Sequence, residues 1–404
     1  MIMFEKNLLC YKCGRQFPVS RLIFRCEKCS GSLEVAFDYS KLKKHFKHAS
    51  ATKLSKRPFS HMRYRELYPV KNPINAGEGG TPLLRSHNLE KQLGLKFQLW
   101  FKLECQNPTG SFKDRGSSIE LAKMLEFIKS GRQKKPAAAC ASTGNMGASL
   151  AAYAGIANIP CSIFIPKDAA PIKLEQILAH GAKVYQIRGD YTQAAQLVET
   201  AYKKHGIYLL GDYLYRREGT KSVGFELADQ LPTATHIFTP IGNGTLASAV
   251  WKGLKELKLL GFSKKLPKMV GIQSSGCSPV SKAFKSNDKI RPIKKPHTLA
   301  VAIECGNPLD GQRALDSIEE SKGFAEDVTD QQILKARELL AENEGIFAEP
   351  AGAASLAGLI KSRNMIPSNS QVICLVTGHG LKVPYTGVKG KPIELKKISL
   401  KGLF

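Results

Sequence analysis

Acidic residues are scarce in this 404-residue sequence: 34 Asp and Glu stand against 60 Lys and Arg, leaving a net charge of +26. Between positions 41 and 65, "KLKKHFKHASATKLSKRPFSHMRYR", no acid occurs at all. Long apolar runs are also missing. Without a stretch of about 18 apolar residues there is no candidate for a membrane-spanning helix, and no membrane partner is expected. The opening, "MIMFEKNLLCYKCG", has no basic start, no sustained apolar run and no small-residue cleavage site. It does not read as a secretory signal, so a cytoplasmic location is expected. No repeat or low-complexity tract stands out.

What is present has the composition of a globular protein, with 43% apolar and 23% charged residues. The length suffices for two or three domains with their own cores. The basic excess has three readings: a nucleic-acid footprint, attraction for an anionic small substrate, or a lineage with a basic proteome. The acid-free segment lacks the aromatic interleaving of a single-strand binder and is read as a solvated linker. A nucleic-acid partner is therefore not expected.

Ten cysteines are present. Four form a pattern, Cys10-x2-Cys13 and then Cys26-x2-Cys29, inside "LLCYKCGRQFPVSRLIFRCEKCSGSLEVAF". Two such knuckles on hairpin turns supply four thiolates to a tetrahedral zinc ion, a zinc-ribbon-like module whose role is structural because no coordination position stays open. A ribbon held by packing alone, or a redox pair, is the other reading. The remaining six cysteines are scattered in apolar or small-residue runs, as reduced thiols are.

Beyond residue 75 the pattern alternates. Strands are predicted at 97–103, 137–141, 161–165, 183–187, 207–210, 236–241, 268–273 and 371–377, with amphipathic or small-residue helices between most of them. Alternation of this kind predicts an α/β fold with parallel-type sheets flanked by helices, in two lobes. The expected organisation is a ribbon module over 1–40, a basic linker over 41–75, a first lobe over 76–225 and a second over 226–404. In open α/β sheets functional groups gather at the C-terminal ends of strands. Four glycine-bearing stretches fall at such ends: "NPTGSFK", "STGN", "PIGNG" and "TGHGLK".

Each stretch has its own chemistry. In "PIGNGTLASAVWKG" the loop Gly242, Asn243, Gly244, Thr245, Leu246 leads into a helix, where free N–H groups and the dipole favour an anion such as phosphate. It is neither a P-loop nor a Rossmann fingerprint, since no Gly-Lys-Ser/Thr or GxGxxG occurs there. In "ASTGNMG", Ser142, Thr143 and Asn145 offer hydroxyls and an amide suited to a carboxylate, though a plain N-cap reads the same way. "NPTGSFKDRG" puts Lys113 at a helix start, where a cation is electrostatically misplaced. An amine there, partly desolvated, has the lowered pKa that imine chemistry requires. The competing reading is a solvated lysine in a charge cluster with Asp114 and Arg115. A lysine beside a separate phosphate loop points to pyridoxal 5′-phosphate.

Taken in order, the ribbon, "MRYRELYPV", "GEGGTPLL", "NPTGSFKDRG", "STGN", "IGNGTL", "EPAGAASLAG" and "LVTGHGLK" cover nearly the whole chain. Together they resemble the threonine synthase family of fold type II, tryptophan-synthase-β-like, PLP-dependent enzymes. The resemblance implies a lyase that converts O-phosphohomoserine and water to threonine and phosphate, working as a homodimer on a small anionic amino acid. It implies that Lys113 carries PLP covalently and, once freed, removes the substrate's Cα proton. It further implies that Asn145 bonds the 3′-oxygen of the ring, that residues Gly242 to Leu246 hold the phosphate, and that Thr377 faces the pyridine nitrogen. Ser142 and Thr143 match the loop that receives the substrate carboxylate.

Two departures bear on the substrate. In "LLGDYLYRREGTKS" Arg216 matches a family arginine that helps bind the substrate phosphate, but Tyr213 and Leu214 replace an Asn-Pro pair; Lys221 is a second basic residue in the run. "GHGLK" is followed by Val383-Pro384 where Asp-Pro is usual. A β-replacing enzyme of the same fold, such as a cysteine or cysteate synthase, is the first alternative. The second is a nucleic-acid-binding protein on a degenerate scaffold, which the joint presence of Lys113, Asn145, Thr377 and the phosphate loop argues against.

Overall fold

The computed structural model describes residues 3–49, 54, 56–142, 144–166, 171–188 and 191–384. The N-terminal module is a small antiparallel sheet of β1 (Glu5–Cys10), β2 (Gln16–Phe17) and β3 (Leu33–Phe37), in the order β2-β1-β3. Alternate residues of β3, Leu33, Val35 and Phe37, are buried, which is the two-residue period of a strand with one face on a core.

The body carries two further sheets. In chain order their strands are β4 (Leu83–Arg85), β5 (Gln98–Lys102), β6 (Ala138–Ala141), β7 (Cys161–Pro166), β8 (Lys183–Ile187), β9 (Tyr208–Leu209), β10 (His236–Pro240), β11 (Lys268–Ser274), β12 (Phe324–Val328) and β13 (Gln371–Leu375). The smaller sheet runs β8-β7-β6-β9 and is parallel throughout. The larger runs β12-β11-β10-β13-β5-β4, parallel except where β4 meets β5. Every residue of β6 and β10 is buried, as strands must be when helices cover both faces of a sheet.

Each strand predicted between 97 and 377 is found, with ends shifted by at most two residues. Three features differ from the reading by sequence. The first is β5, which chain order puts ahead of the first lobe's helices. It pairs with β13 in the larger sheet, Leu99 opposite Val372 and Phe101 opposite Cys374, and these four residues share one core with Phe238 and Val270. Sequence proximity does not decide strand pairing; the shared apolar faces do.

The second is the basic segment, whose described residues include a strap over 56–70 that packs against the body, where a solvated linker is expected. The helix Tyr39–Ala49 buries Leu42 and Phe46, spaced i, i+4 on one face. Further on, the 3-10 turn His61–Leu67 buries His61, Tyr64, Glu66 and Leu67. The acids missing from the segment come from outside it: Arg57 grips Glu66 with two bonds of 2.7 Å, and Arg63 pairs with Asp229 at 3.2 Å. The third is the β12 region, with the helices Asp330–Glu344 and Pro350–Ser362 that follow it, none of which the alternation picked out.

The helix Lys113–Lys129 crosses Leu214–Thr220 at contact distance, and Gly219 makes that possible. A Cβ on Gly219 would lie 2.0 Å from the Arg115 carbonyl oxygen, so the two backbones meet only because it has none. This crossing brings the start of one helix against the loop that opens the other.

Candidate active site

Lys113 is the first residue of its helix, preceded by a turn in which Gly110 has φ +80° and donates its N–H to the Asn107 carbonyl at 2.8 Å. Asp114 stabilises the turn from within, accepting from Thr109 N (2.7 Å) and Thr109 Oγ1 (2.6 Å). An acid in a helix's first turn is also favoured by the dipole. Arg115 points the other way, into a buried network: its guanidinium contacts Glu104 at 2.6 Å and Glu226 at 2.6 Å, and Glu226 also takes Lys102 Nζ at 2.6 Å. The two charged neighbours are therefore core residues, each fully buried, and no solvated cluster exists around the lysine.

The Lys113 side chain is 18% exposed. Burial pushes its pKa down; Asp212 opposes the shift and the Arg216 charge adds to it. Asp212 Oδ1 lies 3.8 Å from Lys113 Nζ. Its other oxygen accepts from Asn243 Nδ2 at 2.7 Å, which joins the lysine to the loop after β10. Burial would raise the pKa of Asp212, but the Lys113 and Arg216 charges, with bonds from Asn243 and Thr245, hold it below the usual carboxylate value.

The loop itself is pinned from below. Asn243 Oδ1 accepts from Leu309 N at 2.8 Å, its carbonyl accepts from Asp310 N at 3.0 Å, and Thr245 Oγ1 donates to Asp310 Oδ2 at 3.0 Å. Asp310 is in turn paired with buried Arg217 at 2.8 Å. Gly244, with φ +91°, turns the chain into the helix Thr245–Leu260. The first N–H groups of that helix have no partners within it and are aimed as anion donors.

A second chain of contacts closes the other side. Phe112 N donates to the Thr377 carbonyl at 3.2 Å, and Ser111 bridges Gly378. The Gly378 carbonyl accepts from Glu349 N at 2.9 Å, and Glu349 Oε1 accepts from Asn145 Nδ2 at 2.7 Å. Lys113, Asn145, Thr377 and the 242–246 loop, far apart in sequence, thus belong to one cluster. Asn145 Oδ1 and Glu349 Oε2 are buried without hydrogen-bond partners, and so is Asp212 Oδ1, the atom facing Lys113. Buried unpaired oxygens of this kind mark places where a ligand group completes the bonding.

Ser142 is 5% exposed, and its Oγ accepts from Gly144 N (3.3 Å) and Gly147 N (2.9 Å), so it secures the turn into the helix Asn145–Ile156. Thr143 lies outside the described residues. Arg216, expected to meet a substrate phosphate, is 1% exposed with its guanidinium in use: it donates to the carbonyls of Gly211 (3.1 Å) and Lys113 (3.2 Å) and to Ser117 Oγ (3.0 Å), and faces Glu120 at 3.1 Å. Lys221 is fully buried between Glu218 (2.7 Å) and Glu256 (2.9 Å). Arg216 and Lys221, like Arg217 between them, are drawn inward by buried acids. Sequence reasoning missed Asp212, Asp310 and Glu349: the first two stand in no motif, and Glu349 opens "EPAGAASLAG" without that stretch showing what the acid meets; for Asp212 the available signal was its position one residue past a glycine after a strand.

The cluster can hold a carbonyl cofactor that also carries a phosphate: an amine of lowered pKa for the aldehyde, a helix N-terminus for the anion, and a buried amide and hydroxyl for the ring. Residues 74–378 match the family model of the pyridoxal-phosphate dependent enzymes. A solved structure of maize serine racemase has the same fold, with a TM-score of 0.66 at 22% identity, covering 75% of this chain and 88% of that one. The fold and site define a fold type II PLP-dependent enzyme. A threonine synthase of Methanocaldococcus jannaschii is 42% identical over 399 residues, 96% of each chain. Another, of Methanosarcina acetivorans, is 43% identical over 94% of this chain and 93% of that one. The chain belongs to the threonine synthase family, and its cofactor is pyridoxal 5′-phosphate.

At the other end of the molecule the Sγ atoms of Cys10, Cys13, Cys26 and Cys29 all lie within 4.8 Å of one another, Cys10 and Cys29 at 3.5 Å and Cys13 and Cys26 at 3.7 Å. A tetrahedral zinc with Zn–S bonds of about 2.3 Å requires sulfurs about 3.8 Å apart, so the four thiols fit the ion. Gly31 is needed beside them: a Cβ there would sit 3.1 Å from Cys10 Sγ and 2.9 Å from Lys12 Cβ.

Proposed function

We propose that this enzyme converts O-phosphohomoserine and water to threonine and phosphate, and that the residues gathered around Lys113 carry the reaction. The observation that carries the reading is this cluster, a largely buried lysine joined through Asp212 to the loop 242–246, in a chain 42% identical to a threonine synthase over nearly its full length. Bound PLP supplies the electron sink that makes the substrate's Cα proton removable. Lys113 Nζ is the group that attaches the cofactor and then moves that proton; burial lowers its pKa and so favours the uncharged amine that both tasks need. The N–H groups of 242–246 hold the cofactor's phosphate. Asn145 Oδ1, left unpaired in the fold, and its Nδ2 fix the ring's 3′-oxygen side. Thr377 offers the ring nitrogen a hydroxyl, which, unlike a carboxylate, does not enforce protonation there; more of the proton work then falls on Lys113. Ser142, with Thr143 beside it in sequence, is assigned to receiving the substrate carboxylate.

Arg216 bonds the Lys113 carbonyl and is assigned to holding the lysine in place. Cys10, Cys13, Cys26 and Cys29 bind a structural zinc, with every coordination position filled by sulfur. The chain acts in the cytoplasm as a homodimer; none of the ten cysteines is in a disulfide, which suits a reducing compartment. A β-replacing activity is not favoured, because relatives 42% and 43% identical over nearly the whole chain are threonine synthases.

The test is direct. Purified protein is expected to be yellow, to release phosphate and threonine in equal amounts from O-phosphohomoserine, and to carry the cofactor on Lys113 after borohydride reduction. A label on another lysine, or no threonine formed by a PLP-loaded sample, overturns the reading.

A further inference from the structure

We infer that Asp212 is a positioning residue for the reacting amine, the carboxylate on which Lys113 Nζ rests whenever the freed amine carries a proton. The inference deepens the proposed function, since it rests on Lys113 being the cofactor's lysine.

Three observations carry it. The Asp212 side chain is 6% exposed and is held at Oδ2 by Asn243 Nδ2 at 2.7 Å, with Thr245 beside it. The other oxygen is buried, has no hydrogen-bond partner, and faces Lys113 Nζ at 3.8 Å. That separation suits an ion pair but exceeds a hydrogen bond by about 1 Å, a movement that rotations of the lysine chain supply without displacing the fixed carboxylate. Asp212 also sits between the lysine and the loop assigned to the phosphate, so the amine turns toward that loop when it leaves the cofactor.

The need for such a group follows from the charges around the amine. When Lys113 takes the proton from the substrate's Cα it becomes an ammonium in a largely desolvated place, and burial penalises the charged form. Arg216 adds a like charge from the helix Leu214–Thr220. The groups of opposite tendency are Asp212 and, beyond it, Glu349, with the buried Cys140 thiol. Asp212 itself is also faced by Arg216, with Glu120 and the thiols of Cys140 and Cys305 on neighbouring elements. Among these described groups Asp212 is the carboxylate within ion-pair distance of Nζ. The proton stays on nitrogen and the carboxylate stays ionised; the pair stores the proton until the amine returns it to the substrate carbon.

The experiment compares the native protein with Asp212→Asn, which keeps an oxygen for Asn243 but removes the charge. The first readout uses cofactor-free protein: labelling of Lys113 by an amine-acylating reagent as a function of pH, located by peptide mass. Loss of an opposite charge at this range is expected to lower the lysine's pKa by about one unit or more, so labelling sets in at correspondingly lower pH. The second is turnover on PLP-loaded protein, where kcat is expected to fall about tenfold or more with KM for O-phosphohomoserine nearly unchanged. Asp212→Glu, which retains the charge, is expected to restore the native labelling profile and serves if the amide variant does not fold. An unchanged labelling profile in Asp212→Asn overturns the inference. So does tighter PLP binding with unaltered turnover, which would make Asp212 a plug of the empty site. Failure of the wider reading looks different: borohydride would then mark a lysine other than Lys113 in the native protein.

Discussion

Asp114 and Arg115 follow Lys113 directly, yet neither shares its surroundings. Asp114 closes the preceding turn on Thr109 and Arg115 disappears into a pair of buried glutamates, while the lysine alone looks toward Asp212. The chemistry of a residue here depends on which side of the helix start it leaves by. Asn145 shows the same point from the opposite direction. Its Nδ2 is taken by Glu349 and its Oδ1 is buried and unpaired, so a substitution is felt chiefly through the missing ligand. Asn145→Ala is expected to fold and to weaken PLP binding by about tenfold, the value of one or two buried hydrogen bonds, measured by cofactor titration. Affinity equal to that of the native protein would remove Asn145 from the site. The lysine and the glycine loops were readable because amines at helix starts and glycines at strand ends have few bland explanations together. Asp212 and Glu349 were not, because an acid announces nothing until its neighbours in space are known.

Strands and helices were legible wherever a buried run was bounded by glycine or an amphipathic stretch, and most strand ends fall within a residue or two of their expected places. The strap formed by 56–70 was not, because Arg57 is answered by Glu66 within it and Arg63 by Asp229 far along the chain, pairings that no spacing announces. His61 is its deepest polar residue: Nδ1 lies 3.0 Å from Ser222 Oγ and 3.1 Å from Tyr68 Oη, and Nε2 has no partner. Burial lowers its pKa from 6.5 to about 4. A base with a depressed folded-state pKa binds fewer protons folded than unfolded between those values. The stability it contributes is therefore complete above pH 6.5 and is lost as pH falls through about 4. His61→Gln is expected to flatten the acid side of the stability profile by up to about 3 kcal/mol, read from denaturant midpoints at pH 7 and pH 4. An acid profile identical to that of the native protein would show that the strap opens before His61 titrates.

On the scale of the whole molecule the ribbon is not an appendage hanging from a linker. Phe24 packs edge-on against Tyr202, Tyr208 and Tyr213, Arg313 bonds Ser32 (2.9 Å) and Glu34 (2.8 Å), and Arg217 donates to the Leu33 carbonyl while pairing with Asp310 beneath the phosphate loop. The cysteine cluster at one end and the loop 242–246 at the other are joined through Leu33, Arg217 and Asp310. The protein is expected to hold about one zinc per chain, and a Cys10→Ser/Cys13→Ser double variant is expected to lose it, to melt at lower temperature and to retain PLP less tightly. Metal content unchanged in that variant would refute the ribbon's role. No helix among the described residues is long and apolar enough to cross a membrane.

By itself the sequence determined the α/β class, the four loops at strand ends, the paired CxxC knuckles and the cofactor, since each rests on local spacing and on residue types with narrow chemical uses. Only the tertiary structure decided that β5 belongs to the larger sheet, that the basic segment includes a packed strap, that Arg216 and Lys221 turn inward, and that Asp212 faces the lysine. These depend on which distant surfaces are complementary in shape and charge, and such complementarity has no period or spacing along a single chain.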